Sequence, residues 1–250
     1  MKRIAMWSGP RNLSTAMMYS FAARGDCAVW DEPFYAAYLQ ATGLAHPMHA
    51  EIMAASEQDA ARVAHDLAHS DADGQPVFFQ KHMCQHMISG MPRDWMAGVT
   101  HAFLIRHPSR VLASFSAKYA AVGLDDIGFV QQAELFDQVA QSTGAAPVVI
   151  DSADIRAAPD AMLQALCAAL GIAFTDRMLT WQPGPKPFDG VWAPVWYGAV
   201  HRSSGFAGRE GPLPELEAGY ARIRDAALPH YERLAQYRLT TPLLTSTDKD

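Results

Sequence analysis

An arginine and two hydroxyl side chains follow the first apolar segment of the chain. The apolar residues Ile4–Trp7 lead into Ser8–Thr15, which reads Ser-Gly-Pro-Arg-Asn-Leu-Ser-Thr, and a helical pattern begins within that segment. A strand, a turn and a helix in this order aim backbone N–H groups and the positive end of the helix dipole at one point. Arg11 adds a permanent forked cation there, and Ser14 and Thr15 add hydroxyl groups. These residue types predict a site for an oxyanion.

The same loop lacks the lysine of a magnesium-dependent phosphate loop. Such loops end in Gly-Lys-Ser/Thr, in which the lysine reaches the β- and γ-phosphates and the hydroxyl binds magnesium. Here Arg11 is followed by Asn12 and Leu13 before the hydroxyl residues. We therefore expect an anion to bind without a metal. The alternative for this segment alone is an ordinary strand-to-helix turn with a solvated arginine.

A second arginine stands at the end of another predicted strand. Thr100–Ile105 is a largely apolar run, and Arg106 follows it directly. Pro108 suits the first turn of a helix, and Ser114 lies farther along that helix. Open α/β sheets bind their ligands at the carboxyl ends of strands, so Arg106 has the position of a ligand-binding residue. The alternative is an arginine that caps a sheet edge and a serine that faces its own helix.

Strand and helix patterns alternate along the chain, as in an α/β protein. Such alternation predicts one parallel sheet with helices on both faces. We expect a single domain over residues 1–244 and a disordered polar tail over 245–250. Further strands are expected over 27–30, 77–81 and 147–150, and helices over 56–70, 126–143, 159–170 and 214–236, with a long loop over 181–211.

Composition narrows the classes of function. The chain has 250 residues, a net charge of −6 and 50% hydrophobic residues. An acidic, globular chain does not favour general nucleic-acid binding, and no apolar run reaches the roughly twenty residues of a membrane span. Cys27, Cys84 and Cys167 are widely spaced and odd in number, which is typical of core thiols in a reducing compartment. We expect a cytoplasmic protein that binds neither nucleic acid nor membrane.

The two arginine segments together resemble the sulfotransferase family, which uses 3′-phosphoadenosine 5′-phosphosulfate (PAPS). Its 5′-phosphosulfate loop often reads Pro-Lys-Ser-Gly-Thr-Thr, and the matching residues here are Pro10, Arg11, Asn12, Leu13, Ser14 and Thr15. Its 3′-phosphate motif is a strand-end Arg-Asn-Pro with a serine eight residues after the arginine, a spacing that Arg106 and Ser114 reproduce. The resemblance implies a P-loop-type α/β fold, PAPS as donor, PAP as product and no metal.

Two residues resemble the base that takes the proton of the acceptor in this family. Gln80-Lys81-His82 resembles the third-strand Lys-Thr-His of the cytosolic members, in which the histidine is the base. Glu32 lies in a segment similar to the Phe-Glu-Pro of carbohydrate sulfotransferases, where a carboxylate can take this role. We favour His82, because its near-neutral pKa suits proton abstraction at working pH, and we keep Glu32 as the rival. Arg11 is the expected third catalytic residue.

The family closes over the 3′-phosphate with a late Arg-Lys-Gly segment. The nearest substitutes here are Arg202 and Ser203, together with Lys186. The resemblance implies transfer of a sulfuryl group from PAPS to a hydroxyl or amine of a small molecule or carbohydrate. A small-molecule kinase and a non-catalytic nucleotide-binding protein remain the alternatives, and the acceptor and the oligomeric state remain open.

Overall fold

In the part of the chain that the structure describes, five strands form one parallel sheet. The central strand carries Ile4–Trp7, which are fully buried, as the residues of a strand covered on both faces must be. Helices lie on both faces of the sheet, so the predicted α/β class is confirmed. The strands are β1 Lys2–Ser8, β2 Cys27–Asp31, β3 Val77–Met83, β4 Thr100–Ile105 and β5 Val148–Asp151. Their order in the sheet is β2-β3-β1-β4-β5.

Eleven α-helices accompany the sheet in the computed structural model, which describes residues 1–116 and 122–241. The tail predicted over 245–250 lies outside the described residues, and the domain bounds stay a prediction. The helices are α1 Ser14–Ala22, α2 Tyr35–Thr42, α3 His49–Ala55, α4 Ala60–His69, α5 Pro108–Ser116, α6 Phe129–Thr143, α7 Ser152–Ala157, α8 Pro159–Leu170, α9 Ala193–Trp196, α10 Gly198–His201 and α11 Ala218–Ala235.

The strand register brings the functional loops to one edge of the sheet. Ser8, the last residue of β1, pairs with Met83 on one side and with Leu104 on the other. Asp31 of β2 pairs with Lys81 of β3. The segments that follow these strands therefore begin side by side, at the edge where open α/β sheets bind ligands.

Most element positions agree with the patterns in the sequence. Strand β4 and helix α8 have the predicted bounds, and Gly171 ends α8 in the left-handed conformation. Helix α6 begins at Phe129 instead of residue 126, because Asp125–Ile127 form a separate 3₁₀ turn. Helix α4 begins at Ala60, where the Asp59 carboxylate accepts the Ala61 N–H at 2.9 Å. In the described ranges, no helix combines the length and apolar character needed to cross a bilayer.

Candidate active site

The loop after β1 is shaped by a close approach and by unusual backbone angles. A Cβ on Gly9 would lie 2.4 Å from the carbonyl oxygen of Ile127, so glycine is required there. Arg11 and Leu13 both have positive φ, 63° and 75°. Such angles strain side-chain-bearing residues by roughly 1–2 kcal/mol, and strain of this kind clusters at functional sites. Glycine would adopt the backbone angle of Leu13 freely.

The N-terminus of α1 is open to an anion. Among the residues that the structure describes, no side chain caps it, so the N–H groups of its first turn have no acceptor from a capping residue. The Arg11 guanidinium lies beside this helix end and donates from Nε to Ser114 Oγ at 2.8 Å. Burial and the neighbouring charge of Arg106 lower the pKa of Arg11. The positive charge at this point is therefore crowded and would be stabilised by an anion.

Arg106 is held against the loop after β1, and one of its donors has no partner in the described part of the chain. Its Nη1 donates to the carbonyl oxygen of Arg11 at 2.6 Å. Its Nε is buried and has no hydrogen-bond partner within the described residues. A buried donor without an acceptor is costly, and a bound anion is one group that can satisfy it.

Two further arginines join Arg106 around one carboxylate. The Glu210 side chain accepts from Arg156 Nη1 at 2.6 Å, lies 2.8 Å from Arg110 Nε and also contacts Arg106 Nη2. Burial raises the pKa of Glu210, but the three arginines outweigh burial and hold that pKa below its usual value. Arg156 Nε also donates to the carbonyl oxygen of Gly208 at 2.9 Å. We call Arg106, Arg110 and Arg156 the arginine cluster.

A buried ionic network lies at the ends of β2 and β3. Lys81 Nζ donates to Asp31 Oδ1 at 2.8 Å and to Glu32 Oε1 at 2.6 Å. The Lys81 side chain is 1% exposed and that of Glu32 is 11% exposed. Burial alone would lower the pKa of Lys81, but the two carboxylates hold it above its usual value. The lysine therefore stays charged, and its position fixes one oxygen of Glu32.

Tyr197 completes this network from the C-terminal half of the chain. Its hydroxyl donates to Asp31 Oδ2 at 2.7 Å and accepts from Trp192 Nε1 at 2.9 Å. Burial and the charge of Asp31 raise the pKa of Tyr197 well above its usual value, so the hydroxyl keeps its proton. Glu32 itself has a φ of 44°, an uncommon angle for a residue with a side chain. Glu32 Oε2 makes no hydrogen bond to the described residues, so this oxygen is available to a ligand.

One cavity of about 570 Å³ connects these groups. The loop after β1, Arg106 and Arg156 line one end of the cavity. Glu32 and Lys81 line the cavity farther from this end. Aromatic and imidazole side chains continue the wall beyond Glu32, with the His86 ring stacked against Tyr35 at 4.7 Å and Tyr38 at 4.9 Å. Burial lowers the pKa of His86 well below its usual value, so the ring is neutral. The cavity is thus cationic at one end and has a carboxylate and polar rings at the other.

A sequence profile described as "Sulfotransferase domain" matches residues 1–237. This match covers nearly the whole chain. The chain belongs to the sulfotransferase-domain family. The solved sulfotransferase domain of the Synechococcus PCC 7002 olefin synthase has the same fold, with a TM-score of 0.50, 15% identity and coverage of 90% of this chain and 94% of that one.

Two curated plant proteins match this sulfotransferase domain more closely in sequence. They are the branched-chain-amino-acid aminotransferase-like proteins 2 and 1 of Arabidopsis thaliana, with 35% and 34% identity over 99% and 97% of the chain. The matches cover 44% and 43% of those two proteins. The chain therefore spans less than half the length of these relatives.

Most of the predicted site residues of the sulfotransferase domain line the cavity. Asn12 is buried, and its side-chain amide donates to the Leu104 carbonyl at 3.3 Å, so it also ties the loop to β4. The predicted residues on the cavity wall are Pro10, Arg11, Asn12, Leu13, Ser14, Thr15, Glu32, Arg106, Ser114 and Ser203.

His82 has a different position from the one expected of a base. Its side chain is 2% exposed, lies within the core and does not reach the cavity wall. The ring stacks on Trp7 at 4.5 Å and also packs near Trp95 at 5.2 Å. Burial, followed by the influence of two other histidines, lowers the pKa of His82 well below its usual value. His82 is therefore a neutral residue of the core, on β3, and its ring packs against Trp7 of β1.

Of the residues predicted to close over the 3′-phosphate, one lines the cavity and two do not. Ser203 lines the cavity, but its Oγ donates to the Val200 carbonyl at 2.8 Å. Arg202 is exposed and is not part of the wall. Lys186 lies 5.9 Å from the centre of the Tyr19 ring and is likewise not on the wall. The segment that contacts the arginine cluster is 207–211 instead.

Sequence reasoning missed Arg110, Arg156 and Glu210. Two of them had a recognisable signal. Arg110 lies in the first turn of the helix that begins two residues after Arg106, and Arg156 lies five residues after the end of β5, at the same edge of the sheet. Glu210 had none, because its partners are distant in sequence and meet it through the tertiary fold.

Proposed function

We propose that this sulfotransferase domain moves a sulfuryl group from PAPS to a hydroxyl or amine of a small molecule or carbohydrate. The observation that carries the proposal is the single cavity that joins a cationic end to the carboxylate of Glu32. The cationic end suits a nucleotide with several anionic groups, and Arg106 Nε supplies a buried donor that has no acceptor among the described residues. When bound, PAPS supplies the sulfuryl group.

The residues at the cationic end would hold the donor by its two ends. Arg11 and the open N-terminus of α1 would bind the 5′-phosphosulfate oxygens, together with the hydroxyls of Ser14 and Thr15. Arg106, joined by Arg156, would bind the 3′-phosphate. Donors that are fixed before the reaction stabilise the charge that develops in transfer at little reorganisation cost. The absence of a lysine in the loop leads us to propose transfer without a metal.

Glu32 is the base that we propose, in preference to His82. It lies on the cavity wall, whereas His82 lies in the core. Lys81 fixes Oε1, and Oε2 can accept the proton of an acceptor hydroxyl or amine. Gln85 and the neutral rings of His46 and His86 would hold the acceptor, because they line the cavity beyond Glu32. The cytoplasmic location expected from the cysteines stays a prediction.

A transfer assay with radiolabelled PAPS tests this function. The protein would be incubated with panels of alcohols, phenols, sugars and amines, in the presence of EDTA. We expect labelled product from at least one acceptor panel and unchanged rates when magnesium replaces EDTA. Phosphoryl transfer from ATP that requires magnesium would instead support a kinase. PAP binding without transfer to any panel would support a non-catalytic nucleotide-binding protein.

The Arg11→Ala variant should lose turnover more than PAPS affinity. Its guanidinium is placed against oxygens whose charge changes during transfer, and removing one such donor costs roughly a hundred- to a thousandfold in kcat. Steady-state kinetics at saturating PAPS would measure the loss. Arg62→Ala is the control, because it makes the same charge change on the exposed face of α4. Loss of affinity alone would make Arg11 a positioning residue.

A further inference from the structure

The arginine cluster already holds an anionic group in this structure, the carboxylate of Glu210. Arg106 and Arg156 both donate to its Oε1, Arg110 Nε lies 2.8 Å from Oε2 as an ion pair without hydrogen-bond geometry, and the Glu210 side chain is 4% exposed. A carboxylate bound by three guanidinium groups has the coordination expected of a phosphate at the same point. Of the three, Arg106 and Arg156 also line the cavity.

The segment that carries Glu210 is attached to the cluster at several points. Arg156 Nε donates to Gly208 O at 2.9 Å, and Arg110 contacts the carbonyl oxygen of Gly211. Ala207, at the start of this segment, forms part of the cavity wall. We call residues 207–211 the strap. The contacts of its carboxylate hold the strap against α5 and α7 at the cationic end of the cavity.

We propose that Glu210 is an internal ligand that competes with the 3′-phosphate of the nucleotide for the arginine cluster. This inference rests on the proposed function, because it takes the 3′-phosphate as the external ligand. A phosphate monoester carries up to two negative charges and three acceptor oxygens, whereas the carboxylate carries one charge and two oxygens. The 3′-phosphate can therefore displace Glu210, and a nucleotide with a 3′-hydroxyl cannot. Glu210 thus makes the site selective for 3′-phosphorylated nucleotides at a cost in affinity.

Isothermal calorimetry with PAP and AMP tests the competition. In Glu210→Gln, the amide binds the arginines more weakly than a carboxylate, so PAP should bind at least about tenfold more tightly than to wild type. AMP affinity should change much less, because AMP has no 3′-phosphate to use the released arginines. Glu215→Gln is the matched control, since it makes the same charge change at an exposed position near the strap.

Each outcome separates this inference from the proposed function. Unchanged or weaker PAP binding in Glu210→Gln, with wild type binding PAP, would overturn the competition and leave the function standing. Absence of PAP binding in both proteins would overturn the function itself. Glu210→Asp keeps the charge on a shorter side chain, which we expect to hold the three arginines less well. Its PAP affinity should therefore fall between those of the wild type and Glu210→Gln. Thermal melts of each variant would show that the comparison is made between folded proteins.

Discussion

Glu32→Gln is expected to lower turnover by roughly a hundred- to ten-thousandfold while leaving PAP binding near the wild-type value. The amide cannot accept a proton from the acceptor, but it has almost the same shape as the carboxylate. Lys81 keeps its ion pair with Asp31, at 2.8 Å, so we expect the variant to fold and the ionic network to keep its geometry. Single-turnover rates with saturating PAPS would measure the change, and calorimetry would measure PAP affinity.

The control for this variant is Glu51→Gln, which makes the same charge change on the exposed surface of α3. A thermal melt and an unchanged PAP affinity would show that Glu32→Gln is folded. Turnover near wild type in Glu32→Gln, together with collapse in a folded His82→Ala protein, would return the base to His82. If neither variant lost turnover, the base would lie elsewhere.

Lys81→Met is expected to be the most destabilising change in the site. The methionine has a similar volume, but it leaves two carboxylates close together in a buried network without their compensating ammonium group. Removing one partner of a buried ion pair costs about 3–5 kcal/mol of the free energy of unfolding. Urea titration would measure this loss, which is large against a typical total stability of roughly 5–15 kcal/mol.

A double variant separates charge from packing in this network. Lys81→Met combined with Asp31→Asn removes one of the two uncompensated charges, so part of the lost stability should return. Equal destabilisation in the single and double variants would show that packing, and not the buried charge, accounts for the loss. Activity should stay low in both proteins, because Glu32 loses the group that fixes its Oε1.

The cationic half of the site could be predicted from the sequence because its residues belong to local motifs. The loop from Pro10 to Thr15 joins a strand to a helix, and Arg106 directly follows a strand. Parallel strands bring such ends to one edge of the sheet, so the backbone pattern alone places them together. The expected α/β class followed from the same alternation and is confirmed by the single five-stranded sheet.

The choice of base could not be made in the same way. Lys81 and His82 are neighbours on β3, and successive residues of a strand point to opposite faces. Which of the two meets the cavity depends on how helices and loops cover each face, and Tyr197, more than a hundred residues away, contacts Lys81 at 2.8 Å. Glu32 lies beyond the end of β2 with an unusual backbone angle, which no composition pattern indicates.

The contacts of Glu210 are equally nonlocal. The strap belongs to a long loop rich in proline, glycine and tryptophan, for which the sequence gives no regular periodicity. Its short helices, α9 and α10, are four residues each and show little periodic signal. The position of the strap depends on arginines from α5 and α7, so the full tertiary fold is needed to find it.

Calorimetric binding of PAP and AMP to the wild-type protein, in EDTA, tests the central claim most directly. If Arg11 and Arg106 hold opposite ends of one nucleotide, PAP should bind about ten- to a hundredfold more tightly than AMP, since each charge-assisted hydrogen bond contributes roughly 1.5–3 kcal/mol. The difference should persist without metal. Equal affinity for the two nucleotides, or PAP binding that requires magnesium, would contradict the account.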